Sequence, residues 1–413
     1  MRATTIFQRD TRLSRLRKWR AGCRAGPWEI CVFPTERCNL RCEICWQHWL
    51  EEEKGKIDPA REVPDQRLLH LVDEAAELGV RDWAFAGGGE PMIRADLIME
   101  MCAHLRRRGM NGFVITNGTR LSEERLKAFV DMGWRRLTIS LDGPDADTND
   151  AIRNAGTFEK ATNALKTLKE IKRSCHTDQP LVATATVITN RNYDRLEELV
   201  ALAAQLGVSS MAANVLQSRG TKCAAFRLSE AQRADLPRHV EKAVALARKS
   251  GIDAGFTSLV TDHEARDPDG YVQQTPTAPN QARFENALCF EPFLSINITA
   301  QGGLAGPCSN FWSEEAQNIG DSSLEEVWFG PYMEATRKAI LTHEKPPGYC
   351  AQCCSILDQR TNDLREGLRL AQRYGGVLPS GILDAARRGT RSLKHRGLLG
   401  AARHAYNRLR VHG

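Results

Sequence analysis

No run of eighteen apolar residues occurs anywhere in the chain, so no segment is built to cross a bilayer as a single helix. The N-terminus is basic but lacks the apolar core of a secretory signal. There is no low-complexity segment and no internal repeat beyond an alternation of strands and helices, which excludes solenoids and arrays. Acid is missing from the last stretch: residues 387–413 hold eight Lys or Arg and neither Asp nor Glu. Charged residues make up 26% and apolar ones 42%, so the composition is not that of a disordered chain. Without a signal for an oxidising compartment, the 13 cysteines do not read as a disulfide scaffold. In a reducing cytosol, that many thiols point to metal or cluster ligation.

At 413 residues the chain has room for one large domain and a smaller one. Its net charge of +6 conceals an asymmetry: residues 1–24 carry +7, residues 387–413 carry +8, and the body between them carries −9. Basic ends of this kind favour an anionic surface, whether phospholipid, nucleic acid or an anionic substrate carrier. In Ser392–Arg410, apolar Leu393, Leu398, Leu399, Ala402, Tyr406 and Leu409 recur at roughly helical spacing. That predicts a basic amphipathic helix, lying on a membrane face or, as the plainer reading, packed on the body. The expected location is the cytoplasm, with the membrane periphery as a further option.

The most informative stretch is Cys38-Asn39-Leu40-Arg41-Cys42-Glu43-Ile44-Cys45, three cysteines spaced C-x₃-C-x₂-C behind an apolar segment, Trp28–Phe33. One loop can turn three thiolates toward one point, but it leaves that point a ligand short of a closed structural zinc site. A cubane cluster with one iron open to a small molecule fits the count better. The alternatives are zinc completed by His48, or three unrelated buried thiols.

Downstream, strands and helices alternate. Asp82–Ala86 is a predicted strand running into Gly87-Gly88-Gly89-Glu90-Pro91; Gly112–Ile115 ends in Thr116-Asn117-Gly118; Arg136–Ser140 ends in Leu141-Asp142-Gly143-Pro144. Leu181–Ile188 and Ser209–Val215 supply two more strands, and helices are predicted over Asp65–Leu78, Leu97–Arg108, Ser122–Met132, Thr157–Arg173, Tyr193–Leu206 and Ser229–Ser250. Such βα units imply a parallel sheet, and six of them imply an α/β fold of the partial (β/α)₆ TIM-like barrel type. Polar and glycine-rich residues gather where strands end, which is where α/β folds place ligands. After a Pro-, Gly- and Thr-rich linker, Phe293–Ile298 and the glycines up to Gly306 read as a hairpin with Cys289 and Cys308 near its ends. Cys350 and Cys353 then form a C-x₂-C pair, so a second, four-thiolate site is expected, with zinc as its plain alternative.

The four strand-end motifs, in this order, resemble the radical S-adenosylmethionine (SAM) superfamily over about residues 28–260. The later cysteines, with Gly303 and Leu324-Glu325-Glu326-Val327-Trp328, resemble its SPASM/twitch extension. Only Cys354 follows the C-x₂-C pair, which suggests the twitch type with one auxiliary cluster. The domains expected are a basic N-terminal arm (1–27), the partial barrel (28–267), a linker (268–285), the twitch-type cluster domain (286–356) and a basic helical tail (357–413). The resemblance implies a [4Fe–4S] cluster on Cys38, Cys42 and Cys45, whose open iron chelates SAM. It implies that Gly88, Gly89 and Glu90 bind the methionine ammonium and that Ser140 and Asp142 lie near the ribose and methionine. Arg153 would pair with the SAM carboxylate, Asn117 would sit below the cofactor, and Val187 and Ile188 would flank the adenine. Glu90 could instead be a capping carboxylate, and Arg153 a surface ion pair. An auxiliary [4Fe–4S] cluster would use Cys289, Cys308, Cys350 and Cys353.

The same resemblance implies reductive cleavage of SAM to a 5′-deoxyadenosyl radical that abstracts a substrate hydrogen, with flavodoxin or ferredoxin as electron donor. Twitch-type relatives and the shortness of the segment ahead of Cys38 favour oxidation or epimerisation of a sugar, cyclitol or similar small polar molecule. Modification of a peptide or protein is the alternative. For epimerisation, Cys223 is the first candidate hydrogen donor and Cys354 the next, although a free cysteine is usually a small buried hydrophobe. A zinc-stapled scaffold binding nucleic acid is the non-enzyme reading, but the basic ends carry no interleaved aromatics or recognised module.

Overall fold

A computed structural model of the chain describes residues 11–45, 47, 57–216, 222–256, 259, 287, 289–308, 313, 315–342 and 364–369. Strand β1 (Glu29–Val32) is followed by β2 (Asp82–Phe85), β3 (Asn111–Thr116), β4 (Arg136–Ser140), β5 (Leu181–Ile188), β6 (Ser210–Val215) and β7 (Asp253–Ala254). Each pairs in parallel with the next, and a helix lies between every successive pair. The strand order is linear and does not return on itself, so the barrel is open. The sequence pattern revealed six of these strands. The seventh is two residues long, too short for any alternation to show.

Beyond β1 the sheet continues. Strand β8 (Ser295–Ile298) pairs with β1 in parallel, and β9 (Ala305–Gly306) pairs with β8 antiparallel. The hairpin expected near the C-terminal cysteines is therefore present, but as an extension of the barrel sheet rather than a detached unit. The expected linker at 268–285 lies outside the described residues, as do the C-x₂-C pair and all of the tail except 364–369.

A parallel sheet needs cover on its faces, and the helices supply it. All four residues of β2 are buried. Helix Asp65–Glu77 turns Leu68, Leu71, Val72 and Ala75 inward, a spacing of three and four residues that makes one apolar stripe. Each leucine so buried contributes about 1.5–3 kcal/mol, and a charge at Leu71 would break the stripe. Trp83, Phe85, Trp134 and Phe129 form a chain of rings with centroids 6.1 to 6.4 Å apart beneath the sheet. Ser122 and Ser229 cap their helices as their positions predicted, each accepting from a backbone N–H in the first turn.

The N-terminal segment departs from the expected basic arm. Arg12–Arg20 is a helix capped by Thr11, and Leu13, Arg15 and Leu16 are buried. Arg15 donates to the carbonyls of Gly26 and Pro27 at 2.6 Å, and Arg12 pairs with Glu29. Part of the positive charge assigned to a surface is thus consumed inside the fold. Among the described residues no helix is long and apolar enough to cross a membrane.

Candidate active site

β1 delivers the chain through Phe33–Arg37 into the loop of Cys38, Cys42 and Cys45 at the end of the sheet where β2 to β5 also finish. The glycines after β2 lie directly on this segment. Gly89 N–H donates to Thr35 O at 2.8 Å and Glu90 N–H to Arg37 O at 2.9 Å. A Cβ on Gly89 would stand 2.0 Å from Arg37 O, and Gly88, with φ +56°, has Thr35 O at 2.7 Å from its Cβ position. The close approach that glycine permits is therefore made to the chain's own cysteine segment.

Other strand ends hold the loop from its far side. Arg41 N–H donates to Asn154 Oδ1 at 2.6 Å and Glu43 N–H to Ile152 O at 3.1 Å. Asn117 Nδ2 donates to Asn39 Oδ1 at 3.1 Å, and Asn39 Nδ2 to Thr119 Oγ1 at 2.8 Å. Asn39, Thr119 and Asn154 were not singled out from the sequence. Asparagines between turns were the one available hint, and nothing local says which loop each will meet.

Glu90 is 3% exposed and its carboxylate is held from three sides. It accepts from Met92 N–H (3.0 Å), Thr116 Oγ1 (2.5 Å) and Asn117 N–H (2.7 Å), so the capping alternative is realised in the Pro91–Arg94 turn. Burial nonetheless raises its pKa, against these donors and the charge of Arg153. Arg153, at 13% side-chain exposure, is no surface pair: its Nε lies 2.7 Å from the carboxylate of Asp142, whose side chain is wholly buried. Burial works against the Arg153 charge, but Asp142 and the neighbouring Cys42 and Cys45 thiols raise its pKa overall.

Asp142 is tied to several neighbours. Its Oδ1 accepts from Val187 N–H at 2.7 Å, its N–H donates to Asn149 Oδ1, and its carbonyl accepts from Asn192 Nδ2. Val187 O also accepts from Asn192 Nδ2, at 2.9 Å, so the backbone expected to flank adenine is committed on both sides. Ile188 is fully buried in the main core on the helix side of β5, because neighbouring strand residues point to opposite faces. Val187 and Ser140 are half-buried at the ends of β5 and β4.

The three thiols sit in one electrostatic neighbourhood. Burial pushes Cys42 up to about 12 and Cys45 up to about 11, and it raises Cys38 as well; each of the three also feels the charge of Arg153. A bound metal cation would favour the thiolate form of such thiols. Leu40 N–H donates to Cys38 Sγ at 3.4 Å, a contact of the kind that tunes cluster sulfurs. Among the described residues no three His, Cys, Asp or Glu side chains converge closely enough for a single ion. His48, the fourth ligand of the zinc alternative, lies outside the described residues.

Cys223 lies in the turn Lys222–Phe226, 2% exposed, with its Sγ 3.7 Å from Glu43 O. It packs against the cysteine loop, close enough to Cys45 to raise that thiol. Cys354, the next candidate, lies outside the described residues. A surface cavity of about 300 Å³, lined by Lys169, Lys172, Arg173 and His176, opens near Val182 at the opposite end of β5 and takes no part in the site.

In the second cysteine set, Cys289 and Cys308 are half-buried. Glu291 N–H donates to Cys289 Sγ at 3.3 Å, again a donor aimed at a sulfur. Cys308 follows β9 by two residues. Cys350 and Cys353 lie outside the described residues.

Residues 32–203 match the family model of the radical SAM superfamily, and residues 289–354 match that of an iron-sulfur cluster-binding domain, SPASM. The chain is 33% identical over 182 residues to the mycofactocin maturase MftC of Mycolicibacterium smegmatis, covering 44% of this chain and 42% of that protein. It is 28% identical over 299 residues to a PqqA peptide cyclase of Methylocella silvestris (71% and 72% covered). It is 26% identical over 363 residues to the Fe-coproporphyrin III synthase of Methanosarcina barkeri (83% and 84%). The chain spans less than half the length of the first curated relatives it matches. Among solved structures, Streptococcus suis SuiB bound to precursor peptide SuiA superposes with a TM-score of 0.56 at 16% identity, covering 78% of this chain and 69% of that one. That likeness shows the fold.

Proposed function

For a chain that is a radical SAM enzyme with a SPASM iron–sulfur domain, which implies SAM and [4Fe–4S] clusters, we propose that the substrate is a peptide. The observation that carries this is the 33% identity to a maturase, supported by the longer match to a peptide cyclase. The sugar or cyclitol reading gives way to it: that reading rested on twitch-type relatives and on the shortness of the segment ahead of Cys38, and no relative described above is named for such a substrate.

Cys38, Cys42 and Cys45 hold the SAM-binding cluster in this reading, and Cys289, Cys308, Cys350 and Cys353 the auxiliary one. When bound, the first cluster supplies the electron that cleaves SAM and generates the hydrogen-abstracting radical. The protein's work is placement. Gly88, Gly89 and Glu90 meet the methionine ammonium, with the Glu90 carboxylate already oriented by Thr116, Asn117 and Met92. Arg153 offers its charge to the SAM carboxylate, its Nε held 2.7 Å from the Asp142 carboxylate. Asp142 acts through Arg153 and through β5, and Asn117 through Asn39 in the cysteine loop. Ser140 and Val187 line the nucleoside end. The electron enters from a flavodoxin or ferredoxin.

The alignment with the Fe-coproporphyrin III synthase over 83% of the chain favours a second reading, a tetrapyrrole substrate. Anaerobic assays with SAM and a strong reductant separate the two. A short peptide encoded beside this gene should stimulate 5′-deoxyadenosine formation and change in mass, and Cys42→Ala should abolish both. An unmodified peptide, with mass loss from an iron porphyrin instead, would overturn the peptide reading.

A further inference from the structure

Cys289 packs on a small apolar cluster that is separate from the main core. Leu13 and Leu16 of the N-terminal helix meet Phe290, Phe293, Ile340 and Leu368 there, and Leu16 is fully buried. Trp19, one turn on, stands edge-on to Phe293 with centroids 5.6 Å apart. Arg337, 3% exposed, locks the joint: its guanidinium lies 4.7 Å from the Trp19 ring and 4.3 Å from Trp328, and its Nε donates to Pro292 O at 2.8 Å. From the far end of the chain, helix 364–369 brings Arg365. Its Nη2 donates to Ala287 O at 3.0 Å, two residues before Cys289, and its guanidinium stands 5.9 Å from the Phe290 ring. Burial and the neighbouring Arg369 lower the pKa of Arg365, and the charge of Cys289 opposes them.

We infer that helix Arg12–Arg20 and Arg365 form the wall of the second iron–sulfur site at Cys289, the helix keeping water off it and Arg365 setting the charge it experiences. This rests on the proposed role of Cys289 as a ligand. The hydrophobic layer around a metal site controls solvent access and potential, and a cation beside an anionic cluster favours its reduced, more negative state. An Arg365 that merely completed the fold would leave the potential of the second cluster unmoved when it was changed.

The test uses the full chain, loaded with iron and sulfide under anaerobic conditions. Arg365→Gln should shift the midpoint potential of the second cluster to more negative values and leave the first unchanged, while Arg365→Lys restores most of the difference. Leu16→Asp should release second-cluster iron to a ferrous chelator about 10-fold faster than wild type. Leu16→Ala, gentler on folding, should do so to a smaller extent. About eight irons per wild-type chain, with an unshifted potential in Arg365→Gln and unchanged release in both Leu16 variants, overturns this inference alone. About four irons, with Cys289→Ala indistinguishable from wild type, overturns the reading of Cys289 and the wall with it.

Discussion

Arg153 and Asp142 meet at 2.7 Å with the carboxylate wholly buried, so neither charge is dispensable while the other stays. Removing one partner of such a pair costs about 3–5 kcal/mol, because the survivor is left without compensation. Arg153→Met should therefore lower the unfolding free energy measured by denaturant titration by that amount. It should also raise the SAM concentration needed for half-maximal 5′-deoxyadenosine formation. Arg153→Met combined with Asp142→Asn should recover much of the stability and none of the SAM affinity, which separates the two roles. The place of Arg153 after the fourth strand end singled it out in the sequence, but its pairing with the buried Asp142 was not legible there, because the two side chains meet only in the fold.

The elements that carry the site meet backbone to backbone. The glycine run after β2 lies so close to Thr35–Arg37 that any side chain at Gly89 would overlap Arg37 O. Gly89→Ala should push the cysteine loop outward, with iron bound at Cys38, Cys42 and Cys45 reduced several-fold in metal analysis and the fold of the barrel intact by circular dichroism. Helix Ala146–Ile152 is the second such element, since it ends at Arg153 and its N-cap, Asp145, accepts from Thr148 N–H at 2.8 Å. Asp145→Ala should cost about 1 kcal/mol of stability. Limited burial opposes the charge of Asp145, but the Thr148 donors and Arg195 prevail and hold its pKa below the ordinary carboxylate value. A group depressed in the folded state stabilises above its unfolded pKa, about 3.9. The difference between wild type and Asp145→Ala should thus be full at neutral pH and vanish as pH falls through the folded pKa, when unfolding is followed at pH 7 and at pH 3. Helix caps of this type are readable in sequence because their partners lie within three residues. The overlap at Gly89 is not, because its partner is 52 positions away.

At the scale of the molecule, the two cysteine-bearing regions are one sheet. β8 joins β1 directly, and the segment around Glu62 ties the hairpin to the cysteine loop. Glu62 accepts from Thr35 Oγ1 and from Arg37 Nε and Nη2 (3.2 and 2.9 Å), while its own backbone bridges Gln301. Arg61 O accepts from Gly302 N–H at 2.8 Å, and Val63 N–H donates to Ala300 O at 3.3 Å. Glu62→Leu should leave the buried Thr35 hydroxyl without its carboxylate acceptor and the more exposed Arg37 guanidinium without its ion pair, a loss of about 1–3 kcal/mol. Differential scanning calorimetry should show that loss in the transition carrying the barrel, and an unchanged melting profile would remove Glu62 from the connection.

The chemistry of this chain was written in order along it: three cysteines behind the first strand, then Gly-Gly-Glu, Asn-Gly and Asp-Gly at successive strand ends. Alternating periodicity and local spacing suffice for that, since cluster ligands and strand ends are set within a few residues of one another. Tertiary structure decided what distant residues do together. It turned the N-terminal basic segment into a packed helix, since Leu13 and Leu16 join the apolar cluster beside Cys289. It placed Ile188 in the core, joined β8 to β1, and made Asp142 the fixed partner of Arg153. Each of these depends on groups far apart in sequence being held together by burial, and no local pattern encodes which groups those will be.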